Sequence, residues 1–159
     1  MQVFDASSAL YAWDNYPSEQ FPPLWTWLAR QIATDELTVS EVALDEINHK
    51  SHDCGSWLKA QKISVHPMTQ AILTDALRIK TLLGIRGELY GSGVGENDLF
   101  IIATARAHGA DLLSDEARQP SLPVDRRKYK IPAVCMLAEV QVRSWSFVEY
   151  IKRSQVVFG

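Results

Sequence analysis

Cysteine is scarce in this chain, with two among 159 residues, Cys54 and Cys135. Two thiols in a domain of this size make no disulfide framework, so an apolar core must hold the fold, and the setting reads as a reducing cytoplasm. A large excess of charge is also lacking. The formal net charge is −3, so the overall field does not recruit nucleic acid, and any such binding has to come from a local basic patch. No apolar run approaches the roughly 20 residues that a membrane span needs. The N-terminus lacks the basic region and long apolar core of a secretory signal. Strand-forming residues from position 2 leave little room for a targeting segment. Internal repeats, low-complexity tracts and a second domain are missing as well.

What is present is ordinary for a globular domain: 47% hydrophobic and 22% charged residues, enough chain for one domain over 1–159 with a sizeable core. Residues 2–5 read as a first strand, followed by a helix or turn over 7–14. Leu24, Trp25, Leu28 and Ile32 recur at helical spacing and predict a helix over about 22–34. Leu37–Ser40 reads as a second strand, and Ser40 as the N-cap of a helix running to about 50. A short helix over 53–60 and a third strand over 62–66 follow. Met68, Ile72, Ala76, Ile79 and Leu83 form a core-facing stripe over 67–83. A glycine-rich connection over 84–95 leads to a helix over 97–108, with Asn97 as cap and Gly109 as stop. Asp111–Ser114 predicts a fourth strand, Ile131–Cys135 a fifth, and 144–153 a closing helix. Strands alternating with helices indicate an α/β domain with a mostly parallel sheet.

Four acidic residues border apolar segments: Asp5 at the end of the first strand, Glu46 in the helix after the second, Asp98 at the start of the helix before the fourth, and Glu116 just after the fourth. Carboxylates beside apolar segments are costly to bury unless their charge is offset. In open parallel sheets, sites form beyond the carboxyl ends of the strands. If the first and fourth strands are neighbours at a switch point, Asp5 and Glu116 meet there. Each acid has a plainer reading too: a turn residue at Asp5, a solvent-facing helix residue at Glu46, a helix-dipole partner at Asp98, and loop acids at Asp115 and Glu116.

The segments Val-Phe-Asp-Ala-Ser-Ser-Ala-Leu, Ser-Glu-Val-Ala-Leu-Asp-Glu-Ile, Glu-Asn-Asp-Leu-Phe-Ile-Ile-Ala-Thr-Ala and Leu-Leu-Ser-Asp-Glu, in that order over residues 2–136, resemble a PIN domain. Trp-Asp-Asn-Tyr-Pro at 13–17 and Lys-Ile-Pro-Ala-Val-Cys at 130–135 are similar to the DUF4411 type of prokaryotic PIN-like proteins, which resemble toxin ribonucleases of toxin–antitoxin pairs. The resemblance implies a three-layer α/β/α sandwich with strand order 3-2-1-4-5 and Mg²⁺- or Mn²⁺-dependent endoribonuclease activity. It implies Asp5, Glu46, Asp98 and Glu116 as catalytic and metal-binding acids. The fourth family position is usually Asp or Asn, so Glu116 departs from the pattern and Asp115 stands as its alternative. Ser7 matches a small hydroxyl residue that would support a carboxylate or a water. RNA is the implied substrate, an antitoxin protein the implied partner, and related domains often form homodimers.

Other signals are weaker. Gly91-Ser-Gly-Val-Gly-Glu resembles a phosphate-cradling loop but has Glu96 where the third glycine belongs, and no Gly-Lys-Ser/Thr follows. His49, His52 and Cys54 lack a usual zinc spacing. A haloacid-dehalogenase-type phosphatase is disfavoured because Ala6 and Ser7 follow Asp5 without a second Asp. Arg126, Arg127, Lys128 and Lys130 surround Tyr129, a composition suited to single-stranded RNA through phosphate contacts and stacking; a solvated loop is the plain alternative. There are five tryptophans. Trp25 is expected in the core, and an exposed pair among the rest would form a partner surface. The rival to a nuclease is a non-catalytic module of the same fold that binds RNA or a protein, kept open by the Glu at the fourth acidic position.

Overall fold

The computed structural model describes residues 1–159. Five short strands form one sheet: β1 (Gln2–Phe4), β2 (Leu37–Ser40), β3 (Val65–His66), β4 (Asp111–Leu113) and β5 (Ser144–Trp145). All pairings are parallel and the order is β3-β2-β1-β4-β5. Connections lead one way from β1 to β3 and the other way from β3 through β4 to β5. Right-handed crossovers therefore place helices on both faces, giving the three-layer α/β/α sandwich. The helices are α1 (Ala6–Asn15), α2 (Pro22–Ala33), α3 (Glu41–Lys50), α4 (His52–Ala60), α5 (Gln70–Leu82), α6 (Glu96–Ala107), α7 (Ile131–Met136) and α8 (Phe147–Ser154), with a 3₁₀ turn at Arg126–Lys128.

The strands on either side of β1 lie inside the sheet, and in β2 burial extends to the polar Thr38 and Ser40. All four residues of β2 are buried. Helix α6 shows why it lies in the centre: Leu99, Ile101, Ile102, Ala103, Thr104 and Ala105 are all buried, covering more than one face. A helix apolar on all sides belongs inside, and α6 packs on β1 and β4 with α3, α5 and α7 around it. Its N-terminal turn carries Asp98 to the carboxyl end of the sheet. Gly109, at φ 58°, ends this helix region in the left-handed conformation.

Three expectations are corrected. Ile131–Cys135 is not a strand but most of α7, with all five residues buried and Pro132 in the first turn. A short buried apolar run does not distinguish helix from strand by periodicity, and proline at the start favours a helix. The fifth strand is Ser144–Trp145, inside the segment expected as a closing helix, which begins only at Phe147. Helix α6 is capped at Gly95 rather than Asn97. Ser40 does cap α3, accepting from the Ala43 N–H at 3.0 Å.

The tryptophans form no exposed pair. Trp25 is buried and receives Trp13 and Trp57 edge-on, at centroid distances of 5.3 and 4.8 Å. Trp27 packs on Tyr150 and Phe158. The Arg153 guanidinium lies 3.8 Å above the Trp145 ring. No helix is long and apolar enough to cross a membrane.

Candidate functional site

The register sets the first contact. Phe4 pairs with Leu113 across β1 and β4, so the next residues, Asp5 and Ser114, emerge side by side at the carboxyl ends of the switch-point strands. Asp5 is only 2% exposed. Its N–H donates to the Leu113 carbonyl at 2.8 Å. Its Oδ2 accepts from Ser114 Oγ at 3.0 Å and, more tightly, from Ser7 Oγ. Ser7 Oγ in turn accepts the Asp115 N–H at 2.9 Å, which ties α1 to the loop after β4. No cationic side chain pairs with Asp5.

Burial pushes the Asp5 carboxyl up to about 6. The Ser7 hydrogen bond works against this, the charge of Asp98 adds to it, the Ser114 hydrogen bond opposes it, and Glu46 adds again. Burial also raises Asp98; the Gly95 N–H opposes the shift, Glu116 and Glu46 reinforce it, and Lys50 counters it. The four acids expected from sequence are thus close enough to act on one another electrostatically, although three separate elements and a loop carry them.

They are not equivalent in placement. Asp98 and Glu116 line one cavity of about 130 Å³ with Ser92, Gly93, Val94, Lys130 and Ile131. Asp5 is buried and is not in its lining. Glu46 sits on α3 with its side chain 25% exposed, paired to Lys50 at 2.9 Å. Its neighbour Asp45 is exposed. Asp98 has a structural duty as well, its Oδ2 accepting the Gly95 N–H at 2.9 Å at the start of α6. Asp115 points elsewhere: its Oδ2 accepts from Ser8 Oγ at 2.6 Å and from the Phe147 N–H at 3.1 Å, joining α1 to α8.

The donor set is all carboxylate and hydroxyl oxygen, which suits a hard divalent cation. No three His, Cys, Asp or Glu side chains gather closely enough to chelate an ion directly. Mg²⁺ keeps several waters and is usually held through one or two carboxylates. The arrangement therefore fits a hydrated ion, and a buried carboxylate with no cationic partner is the feature such an ion would offset. His49 and His52 are exposed while Cys54 is buried, so they form no zinc site. Burial pushes both thiols up to about 12, leaving them inert.

The basic segment is divided in the same way. Arg127 is occupied by Asp125 at 2.7 Å. Arg126 and Lys128 are exposed, and Lys130 is half-buried in the cavity wall. Sequence reading missed Ser114, Ser8 and Lys50. Lys50 had a signal, since it stands four residues after Glu46 on one helix face. Ser114 could be recognised only once β1 and β4 were known to be neighbours.

Comparison with known proteins adds family and fold. The family described as a domain of unknown function, DUF4411, matches residues 2–158. No curated protein matches the chain. Among matching solved structures is a chain of VapBC2 from Rickettsia felis bound to a DNA fragment from their promoter. It is 16% identical, with a TM-score of 0.57, and the match covers 91% of this chain and 98% of that one. The family match over residues 2–158 makes this chain a member of the DUF4411 family, and its five-stranded parallel sheet and likeness to the VapBC2 chain make the fold PIN-like.

Proposed function

We propose that the chain acts as a single PIN-like domain that hydrolyses RNA phosphodiester bonds with the help of Mg²⁺ or Mn²⁺. The observation that carries this reading is Asp5, a carboxylate 2% exposed at a parallel-sheet switch point, held by two hydroxyls and acted on by two further acids. Burying such a group without a cation is unfavourable. Asp5 and Asp98 would hold the ion, and Glu46 and Glu116 would orient its waters. When bound, the ion neutralises charge on the attacked phosphate and makes a water more acidic.

The chain's own residues supply the rest. Ser7 and Ser114 fix the Asp5 rotamer, and Gly95 fixes that of Asp98. Glu116, facing the cavity, is placed to orient a water or take its proton. Water attack then leaves a 5′-phosphate and a 3′-hydroxyl with no covalent enzyme intermediate. The likeness to VapBC2, a toxin–antitoxin pair, supports a role as the toxin of a two-protein module with an antitoxin as partner.

Purified protein incubated with single-stranded RNA should cleave it in Mg²⁺ or Mn²⁺, stop in EDTA, and lose activity in the Asp5→Asn variant. An Asp5→Asn protein that cleaves as fast as the parent would overturn the assignment. A second reading, a binding module without catalysis, is favoured by Glu116 at a position usually Asp or Asn. It predicts RNA or protein binding with no metal-dependent cleavage.

A further inference from the structure

We propose that the cavity between the 91–95 loop and the 126–131 segment is a phosphate subsite for single-stranded RNA, with Lys130 gripping a phosphate next to the one being cut. This rests on the ribonuclease reading and names where its substrate's backbone is held. Lys130 shares the cavity of about 130 Å³ with Asp98 and Glu116. The Lys130 ammonium makes no ion pair with either acid or with any other. A polyanion approaching four carboxylates meets repulsion, and an unpaired cation on the same wall is what offsets it. Lysine, a point charge with three rotatable donors, suits a backbone phosphate contacted without regard to base sequence.

The backbone around Lys130 is held tightly. A side chain on Gly93 would come within 2.6 Å of the Lys128 carbonyl carbon, and one on Gly91 within 2.8 Å of the Arg127 oxygen. The two glycines therefore allow the basic segment to lie directly on the loop that leads to Asp98. The Val94 N–H donates to the Tyr129 oxygen at 2.9 Å. Gln119 grips the segment from the other side: its Nε2 donates to the Lys128 carbonyl at 3.0 Å and its Oε1 accepts the Lys130 N–H at 2.9 Å. Tyr129 is buried. Lys130 is thus carried on a backbone fixed relative to the acids, which a solvated basic loop would not need.

The test uses a fluorescent single-stranded RNA hexamer, with Ca²⁺ replacing Mg²⁺ and intact RNA verified on a gel, titrated over a salt series. Lys130→Gln should weaken binding of different sequences equally and flatten the slope of log affinity against log salt by about 0.7, the value of one single-strand phosphate contact. Lys130→Arg should restore the slope. Lys59→Gln, on exposed α4 surface and outside the cavity, should change nothing. Gly93→Ala should flatten the slope by the same increment, and combining it with Lys130→Gln should add nothing further. If Gly93→Ala fails to fold, the lysine series decides alone. A Lys130→Gln slope equal to the parent's, in a protein that cleaves RNA in Mg²⁺, overturns the subsite and leaves the nuclease reading intact. A flattened slope in a protein that never cleaves keeps Lys130 only as an RNA phosphate contact and overturns both the nuclease and the subsite's place beside a cut phosphate. A parent that binds no RNA removes both.

Discussion

Ser114 Oγ donates to Asp5 Oδ2 at 3.0 Å although the two residues are 109 apart in sequence. The contact exists because β1 and β4 are parallel neighbours whose register ends one residue earlier, at Phe4 and Leu113. It joins the loop that carries Glu116 to the strand end that carries Asp5, so these two parts of the site keep their spacing together.

The Asp5 carboxyl, raised from an ordinary 3.8 to about 6 by burial, makes stability depend on pH. The folded state holds this proton more tightly than the unfolded state. The group contributes nothing where both states are protonated, below about pH 4. It then weakens the fold as pH rises through about 6 and remains a constant cost above that. At about 1.4 kcal/mol for each pH unit between the two values, the cost at neutral pH is roughly 3 kcal/mol. Urea denaturation in EDTA should therefore show Asp5→Asn gaining on the parent by about this amount between pH 4 and 7.5. Adding Mg²⁺ should stabilise the parent more at pH 7.5 than at pH 5, and should not stabilise the variant in the same way.

Asp115 and Glu116 should separate structure from activity. Asp115 accepts two hydrogen bonds that hold α1 and α8 together, and bonds to a charged group contribute about 1.5–3 kcal/mol each. Asp115→Ala should lower the melting temperature markedly. Glu116→Gln should melt within about 0.5 kcal/mol of the parent yet lose RNA cleavage by tenfold or more. The reverse pattern would exchange the two assignments.

Asp98 should respond differently to two substitutions. Its Oδ2 accepts the Gly95 N–H at the start of α6, and losing such a cap costs about 1 kcal/mol. Asp98→Asn keeps an acceptor there and removes only the charge, so thermal stability should hold while cleavage falls. Asp98→Ala should lose both. Circular dichroism melts beside a cleavage assay separate the two.

Lys50 pairs with Glu46 on a half-open surface, its own side chain 57% exposed. Such a pair adds only about 0.3–0.5 kcal/mol, so Lys50→Met should leave the melting temperature nearly unchanged. Because the ammonium also lies in the field of Asp5 and Glu116, its loss should tighten divalent-cation binding a few-fold. Isothermal titration with Mn²⁺ measures this, and weaker binding would mean that Lys50 organises Glu46 instead of competing for it.

Much of the fold could be read from residue order. Apolar residues within β1, β2 and β4, and stripes on α2 and α5, were visible because they are the residues that the core buries. The misread part was the last quarter. There Ile131–Cys135 buries every residue, which erases the period that separates a helix from a strand. Only Pro132 hinted at the helix. A two-residue strand at Ser144–Trp145 is too short to carry alternation, and it exists because β4 offers it a partner.

For the site, the four acids were legible as candidates through family likeness, and their roles stay with the proposal above. What sequence could not convey was their unequal exposure. That depends on where the 91–95 loop lies against Arg127–Tyr129, a contact made by backbone at Gly91 and Gly93 and therefore free of side-chain pattern. The same holds for the hydroxyl links from Ser7 and Ser8 to the loop after β4, since a serine next to an apolar strand has many possible partners until the register is known.

The sheet ends on both sides in strands of two residues, Val65–His66 and Ser144–Trp145. So short a border offers a neighbouring chain almost no ladder to extend, and the guanidinium lying over Trp145 roofs one of the two. Edge-to-edge stacking into fibres is thereby discouraged even at high expression. Any twofold assembly of this chain would have to be built from helical or loop surfaces, where specificity comes from side chains.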